Sequence, residues 1–331
     1  MNKCLVTTLK EAVTDNNLRK LGDMVFTLNR PDITCIYLGS IEDVTLTIVG
    51  NGHITDINGT ANLGKTVTRN NDNTPIYLTP GNYDVVLSNK YAINKIDMRR
   101  EKLGGPGYTP PIMDISEFVG MNNLSILRID FTNCSGDMSS LSHLSLNEMR
   151  GNSVYGIYNT SITGEFIPGR EMAILYINHL KNVHGSLANY KFTTGNNLLY
   201  IADNKISGNL SDLQGASTKE LRLRELDGVS GNMGNLVSTL PNLETLDFYR
   251  LPNVTCNVSD LSSKNLTEVI LGYNKSIQGP LSAFASMTNL RTLMLQGSDV
   301  YGDTSELAGC TNLTTVNFTN SPNITGKWPL T

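Results

Sequence analysis

Apolar residues recur with one pattern from about residue 93 to the end of the chain. The clearest copy places them, with one glycine, at Leu290, Leu293, Leu295, Val300, Gly302 and Leu307. Further copies begin near residues 93, 124, 149, 172, 196, 218, 243, 266 and 313, and after the first they are 22 to 25 residues apart. A repeat of this length is typical of solenoids, whose stacked units bury one continuous core.

Within each copy, two apolar residues stand on either side of a more polar one, as Leu246 and Phe248 do. This alternation predicts a strand whose two apolar side chains point inward and whose other side chains point outward. In the degenerate copy near residue 149, the pattern assigns the inward positions to Tyr155 and Ile157. Residues 99–110 are an insertion in the first copy, which we interpret as a join or a binding loop.

The copies resemble the leucine-rich-repeat family, whose pattern is L-x-x-L-x-L-x-x-N-x-L. The second part of each copy, the tail I-x-G-x-L-x-x-L, resembles the class of leucine-rich repeats in which a second short strand follows the main one. The family's asparagine is kept at Asn204 and Asn274, whereas Thr132, Ser298 and Ser321 replace it elsewhere. The resemblance implies that residues 91–331 form a right-handed solenoid of about ten repeats with a parallel sheet, in which the hydrogen bonding of the turns is less regular.

Residues 1–90 have a different pattern, in which short β-rich runs are separated by Asn, Gly, Asp and Pro. This pattern predicts a small β-sandwich or barrel that anchors or caps the solenoid. Residues 78–87 resemble the last hairpin of an immunoglobulin-like domain. The predicted fold class is therefore mostly β, with a small module followed by a solenoid.

Charge and composition narrow the possible functions. The 331 residues include 26 Lys and Arg against 30 Asp and Glu, a net charge of −4 that argues against nucleic-acid binding. The chain has no apolar run long enough for a membrane-spanning helix, and its first residues lack the features of a signal peptide. We therefore expect no membrane insertion. The five cysteines are widely spaced, which favours free thiols.

The sequence offers little support for catalysis, and we predict no enzyme, cofactor or metal. Residues 59–66 match the phosphate-loop pattern, but the residues after Lys65 cannot form the helix that such a loop requires. No G-x-S-x-G elbow occurs, and the histidines have no matching ligands. Asp97, Asp130 and Asp247 are expected to face outward, on different repeats.

The concave face of the solenoid is the predicted binding surface. Its candidate residues are Arg128, Asp130, Tyr158, Tyr176, Tyr200, Arg222, Arg224, Asp247 and Tyr249. Tyrosine and arginine are enriched in interface hot spots, and tyrosine rings also stack on sugars. An equally weighted alternative is that tyrosine is present for its high β-propensity.

The arrangement of a β-module and Asn/Thr-rich repeats resembles proteins of gut Bacteroides and their phages or prophages. This resemblance implies a virion component of the fibre or decoration type, located in the virion. Its partners are expected to be other virion proteins, a host protein or glycan, or further copies of itself. The alternatives are a bacterial adhesin at the cell surface, a cytoplasmic protein, and a polysaccharide-degrading tailspike, which needs paired carboxylates.

The last repeat carries a separate prediction. Terminal repeats normally need a cap, because an uncapped solenoid exposes its core. The last repeat ends at Trp328, three residues before the final residue of the sequence. We therefore expect another chain to cover this end near Trp328. The alternative is that Trp328 folds over the last repeat and shields it.

Overall fold

A computed structural model describes residues 22–30, 34–70, 74–98, 111–152, 159–261 and 265–328. The chain divides into two compact units, Met1–Ser135 and Gly136–Thr331. The described residues are mostly β, as predicted. None of the helices they form is long and apolar enough to span a membrane.

The described strands of the first unit are β1 (Met24–Arg30), β2 (Thr34–Ser40), β3 (Val44–Gly50), β4 (Ile54–Thr55), β5 (Thr66–Arg69), β6 (Ile76–Leu78), β7 (Gly81–Leu87), β8 (Ile93–Met98) and β9 (Ile126–Asp130). Short 3₁₀ turns lie at Lys90–Ala92 and Ile115–Phe118. Strands β1, β7, β3 and β5 pair antiparallel in that order. Strands β4, β6, β2 and β8 also pair antiparallel, and β9 then pairs in parallel with β8.

Residues 78–87 do not form the predicted hairpin. Strand β6 pairs with β2 and β4, whereas β7 pairs with β1 and β3, so the two strands belong to different sheets. Pro80 has no N–H with which to close a hairpin, and Gly81 has a φ of +150°. The chain therefore passes from one sheet to the other at this point.

The phosphate-loop pattern lies in a loop that leads into a strand. Strand β5 begins at Thr66, where a phosphate loop requires a helix. The Asp56 carboxylate accepts hydrogen bonds from the backbone N–H groups of Thr60 and Ala61, and Lys65 donates to the carbonyl of Gly50. Lys65 is exposed in the connection between β4 and β5, two strands that pair with different neighbours, so this segment lacks the strand–loop–helix context of a phosphate loop.

The second unit contains two sets of strands that alternate along the chain. The first set is β11 (Glu148–Asn152), β13 (Ile174–Asn178), β15 (Leu198–Ala202), β17 (Glu220–Arg224), β19 (Thr245–Tyr249), β21 (Glu268–Ile270), β23 (Thr292–Met294) and β25 (Thr315–Asn317). The second set is β10 (Gly136–Asp137), β12 (Asn159–Glu165), β14 (Leu180–Ser186), β16 (Lys205–Asn209), β18 (Val229–Asn232), β20 (Asn253–Asn257), β22 (Ile277–Pro280), β24 (Asp299–Asp303) and β26 (Ile324–Thr325).

Each set forms a parallel sheet, which we call the main sheet and the second sheet respectively. Short turns connect the sheets at Met138–Leu141, Leu187–Tyr190, Leu210–Leu213, Val258–Asp260, Leu281–Phe284 and Thr304–Leu307, together with the helix α1 (Met233–Val237). Strands of the main sheet pair in register, so that Leu221 lies beside Leu246 and Leu246 beside Val269. These three side chains are at most 1% exposed. The second unit is therefore a leucine-rich-repeat solenoid.

The repeat near residue 149 differs from its prediction. Its main-sheet strand is β11, with Met149 and Gly151 at the inward positions beside Leu175 and Ile177 of the next repeat. Tyr155 and Ile157 lie outside the described residues. The sequence prediction failed here because Gly151 occupies the second inward position of the strand. Glycine has no side chain, so the sequence lacks an apolar residue where the repeat pattern requires one.

Polar side chains connect successive repeats along the turns. Asn204 and Asn274 each donate a hydrogen bond to a carbonyl of the preceding repeat, at 3.3 and 2.7 Å. Ser321 makes the corresponding bond at 2.7 Å, so serine can replace asparagine at this position. Asn265 and Asn312 immediately precede the first buried leucine of their repeats. They also donate hydrogen bonds to carbonyl groups of the preceding repeat, at 2.9 and 2.8 Å. This second asparagine ladder was not expected from the sequence.

The glycine of the tail pattern is required by close packing between repeats. Gly231 and Gly279 have φ values of +117° and +124°. A Cβ atom at these positions would lie 2.7 and 2.5 Å from the Oδ1 atoms of Asn209 and Asn257. Those amides accept hydrogen bonds from the next turn of their own repeats, so they cannot withdraw without losing a cap.

Glu171 connects two repeats in a way that depends on pH. Its carboxylate accepts hydrogen bonds from the N–H and hydroxyl groups of Thr193 and Thr194. These bonds, above all those from the threonine hydroxyl groups, lower its pKa from 4.5 to about 2. A lowered pKa stabilises the folded state above the unfolded pKa, and this contribution is lost as the pH falls from about 4.5 to about 2.

We therefore expect the Glu171→Gln variant to be less stable than the wild type at pH 7. We also expect its stability to fall less between pH 5 and pH 2.5, values that bracket most of this titration. Thermal unfolding of both proteins at the two pH values measures this difference. A variant that is as acid-sensitive as the wild type contradicts the assignment.

Candidate functional site

The outward side chains of the main sheet in the second unit form columns. This follows from the in-register parallel pairing, which places equivalent residues of successive repeats side by side. The central column consists of Arg150, Tyr176, Tyr200, Arg222, Asp247, Ile270, Met294 and Asn317. Polar and aromatic residues therefore dominate the part of this column before Ile270.

A charged cluster occupies the middle of the face. Asp247 is fully buried, and its carboxylate accepts hydrogen bonds from Arg222 at 3.2 Å and from Nε of Arg224 at 2.8 Å. Arg222 also donates to Glu220 at 3.2 Å and to Glu268 at 3.1 Å. Burial raises the pKa of Asp247, and the two guanidinium groups oppose this shift. The positive charges of this cluster are therefore compensated within the protein.

Aromatic rings and a guanidinium group lie next to this cluster. The rings of Tyr176 and Tyr200 pack edge to face, with their centroids 4.5 Å apart. The guanidinium carbon of Arg224 lies 5.9 Å from the ring centroid of Tyr200 and 5.6 Å from that of Tyr249. Both distances are within the range of a cation–π interaction.

The stacking continues into the next repeat. Arg250 lies 5.3 Å from the ring centroid of Tyr249 and 5.2 Å from that of Tyr273, and the two rings themselves pack edge to face at 5.4 Å. We call the resulting series of planar side chains the tyrosine–arginine strip. It consists of Tyr176, Tyr200, Arg224, Tyr249, Arg250 and Tyr273.

The strip differs in exposure along its length. Burial raises the pKa of Tyr200 to about 12, so this phenol stays protonated and can donate a hydrogen bond at neutral pH. Burial also raises the pKa of Tyr249. Tyr273 is 40% exposed, and 54% of the Arg250 side chain is exposed. The part of the strip around Tyr273 is therefore open to a ligand.

Arg250 and Tyr273 owe their position to a strained backbone. Arg250 stands immediately after β19, as His179, Asp203 and Glu225 do after the strands of other repeats, and Tyr273 stands three residues after the end of β21. All five residues have φ between 53° and 59°, which costs non-glycine residues roughly 1–3 kcal/mol each. The sequence prediction omitted Arg250 and Tyr273 because it considered only strand residues. An alignment of the residue after each strand would have revealed this column.

The structure brings together six of the predicted binding residues. They lie on the adjacent strands β13, β15, β17 and β19, and they are Tyr176, Tyr200, Arg222, Arg224, Asp247 and Tyr249. Arg128 lies on β9 of the first unit, where it forms an ion pair with Asp97 at 3.1 Å. Tyr158 lies outside the described residues. The role of these residues in binding stays a prediction.

The three aspartates that we expected to face outward from their strands are buried. Asp97 and Asp130 are 2% exposed and Asp247 is not exposed at all. At the end of its strand, Asp130 accepts hydrogen bonds from the N–H and hydroxyl groups of Thr132, at 2.9 and 2.6 Å. These carboxylates are covered because ion pairs and turn hydrogen bonds hold them against the protein.

The last repeat is less buried than those before it. Val316, Phe318 and Ile324 are half-buried, although their counterparts in earlier repeats are fully buried. Trp328 is also half-buried. The prediction that Trp328 lies at an interface with another chain stays a prediction.

The described residues offer no cluster suited to a metal ion. They contain no group of three or more His, Cys, Asp or Glu side chains that is placed to hold a metal ion. The four described cysteines are buried free thiols, and burial raises the pKa of Cys256 to about 12. A thiol with this pKa is protonated at neutral pH and is a poor nucleophile.

The fold and this face define a leucine-rich-repeat solenoid with a polar and aromatic outer surface on its main sheet. No family model matches the chain, and no curated protein matches it. The chain is similar to the plant peptide hormone receptor RGFR1, solved in complex with RGF2, with 17% identity and a TM-score of 0.46. This match covers 65% of the chain but only 38% of the receptor chain.

Two further solved structures are similar to the chain. One is an internalin, InlF, from Listeria monocytogenes, with 14% identity, a TM-score of 0.36, and coverage of 72% of this chain and 87% of that chain. The other is a plant ice-binding protein, with 17% identity, a TM-score of 0.42, and coverage of 67% and 74%. The assignment of the fold rests on the strand register of the second unit itself.

Proposed function

We propose that the protein is a non-enzymatic binding protein that recognises its partner through the tyrosine–arginine strip. The observation that carries this proposal is the continuity of the strip across successive repeats. Tyrosine and arginine are frequent in interface hot spots because they bring a large rigid surface together with hydrogen-bonding groups.

An enzymatic role as a polysaccharide-degrading tailspike has less support. Glycoside hydrolysis needs two carboxylates, one of which gives a proton while the other acts as base or nucleophile. Three carboxylates at the centre of this face are Glu220, Asp247 and Glu268, and all three accept hydrogen bonds from Arg222. These carboxylates are therefore engaged with one shared guanidinium group, an arrangement that serves structure and leaves none of the three free to act on a glycosidic bond.

The biological setting that we propose is a phage virion, in which the β-module anchors the protein and the solenoid recognises a host protein or glycan. The support for this setting is the resemblance of the sequence to proteins of gut Bacteroides and their phages. A bacterial surface adhesin is the alternative. Mass spectrometry of purified virions tests the proposal, and a protein that is found only in bacterial envelope fractions contradicts it.

We expect a Tyr176→Ala/Tyr249→Ala variant to bind fixed Bacteroides cells at least tenfold more weakly than the wild type, because it removes two rings from the strip. Flow cytometry with the labelled full chain measures this loss. Tyr301→Ala is the matched control, since Tyr301 is an exposed tyrosine on the second sheet. Equal binding by the double variant and the wild type places the binding surface elsewhere.

A further inference from the structure

We propose that the ligand of the tyrosine–arginine strip is an uncharged, extended glycan that lies across the repeats. This inference rests on the proposed function and names the class of ligand that the same surface takes. Three features of the face carry it: the compensation of its charges, the spacing of its rings, and two buried amides without hydrogen-bond partners.

The charges of the face leave little attraction for a charged ligand. Arg222 and Arg224 share Asp247, and Arg222 also contacts Glu220 and Glu268. The exposed Arg250 lies 3.7 Å from the carboxylate of Glu225. An acidic glycan or an acidic peptide needs uncompensated cations, and a basic ligand needs uncompensated anions. The surface that remains presents ring faces, phenol hydroxyl groups and guanidinium N–H groups. These groups match the apolar ring faces and the hydroxyl groups of a neutral sugar.

The spacing of the strip suits a chain of sugar rings. Its residues come from five successive repeats, from Tyr176 on β13 to Tyr273, which lies three residues after the end of β21. At ~4.8 Å for each repeat, the strip is roughly 20 Å long. One repeat is close to the length of one sugar ring in an extended chain. A glycan of about four rings can therefore follow the strip in step with the repeats.

Two buried amides flank the strip. Asn178 is 1% exposed, and neither its Oδ1 nor its Nδ2 atom makes a hydrogen bond to the described residues. Gln296 is 8% exposed, and its Oε1 atom also makes no hydrogen bond to them. A buried polar group without a hydrogen-bond partner destabilises the protein, and hydroxyl groups of a bound sugar can supply that partner after a small side-chain rotation.

Asn178 and Gln296 each stand beside a small residue. These small residues belong to a second column of outward positions, which also contains Arg224 and Tyr249. Asn178 pairs with Ala202, and the side chain of Gln296 lies over Gly272. The two amides therefore lie on either side of Arg224 and Tyr249, where hydroxyl groups of a bound sugar can reach them once their side chains rotate.

A protein ligand fits the face less well. Protein partners obtain most of their binding energy by inserting anchor side chains into pockets. Two described pockets, of about 370 and 460 Å³, are lined by other residues, among them Asn242 and Asn265 in one and Asn257 and Lys275 in the other. Neither pocket is lined by a residue of the strip.

Affinity electrophoresis of the full chain tests the proposal. The gels contain one of four soluble neutral polysaccharides (a mixed-linkage glucan, a galactomannan, an arabinoxylan or an α-mannan) or an acidic polygalacturonate. We expect at least one neutral polysaccharide to retard the protein. Tyr249→Ala/Tyr273→Ala should weaken that binding at least tenfold, Gln296→Ala should weaken it to a lesser degree, and Tyr301→Ala should leave it unchanged. Retardation by polygalacturonate alone, or by none of the neutral polysaccharides, overturns the proposal.

Treatment of the fixed cells separates this proposal from the proposed function. Mild periodate cleaves the vicinal diols of glycans, whereas proteinase K removes surface proteins. We expect periodate to abolish cell binding and proteinase K to leave it in place. If proteinase K alone abolishes binding that still depends on the strip, the ligand is a protein: the glycan proposal fails and the proposed function stands. If binding does not depend on the strip, both fail.

Discussion

Replacing Arg222 and Arg224 together by leucine is expected to destabilise the protein by about 3–5 kcal/mol, the range for breaking a buried ion pair. The reason is that Asp247 has no exposed surface and these arginines neutralise its carboxylate. A buried carboxylate without a cation is costly, so the variant should also become more stable as the pH falls and Asp247 binds a proton. Urea unfolding at pH 7 and pH 4.5 measures both effects.

A third substitution is the control for this prediction. Adding Asp247→Leu to the double variant removes the buried charge as well, and replacement of a whole buried ion pair by apolar residues is often neutral. We therefore expect the triple variant to recover most of the lost stability and to lose the pH dependence. A triple variant that is less stable than the double variant contradicts the assignment of Asp247 as the centre of the cluster.

Phe248→Ala is expected to lower the free energy of unfolding by about 3–5 kcal/mol, because it removes a large side chain from a closely packed core. Phe248 is completely buried on β19 and pairs with Leu223 of the preceding repeat, which is also completely buried. The cavity that remains cannot collapse easily, since rigid repeats hold both of its sides. Chemical denaturation of the full chain, followed by circular dichroism, measures the loss.

The last repeat offers a matched control for this prediction. Phe318 occupies the position of Phe248, but it is only half-buried. Phe318→Ala should therefore lower the free energy of unfolding by about half as much as Phe248→Ala or less, because it removes less buried apolar surface. Equal losses of unfolding free energy in the two variants show that the end of the solenoid is covered in solution. The prediction that another chain covers the last repeat near Trp328 requires this result.

The sequence predicted the core of the solenoid well, because burial follows directly from side-chain chemistry and spacing. Leu246 and Phe248 stand two residues apart, so a strand must place them on one face, and only the inward face removes both from water. The prediction was wrong where a side chain was missing, at Gly151. It also could not identify Arg250 and Tyr273, whose left-handed backbone places them beside the sheet after their strands have ended.

The sequence by itself determined the repeat, the inward face and the tyrosines and arginines of the outer face, since each of these follows from spacing along one strand. Only the tertiary structure decided which outward residues meet. Arg224 and Asp247 are 23 residues apart in the chain, and the register of β17 against β19 brings them into contact. Because Asp247, Glu220 and Glu268 together compensate both arginines, the tertiary structure converts a face that the sequence presents as charged into one that is electrically compensated and lined by rings.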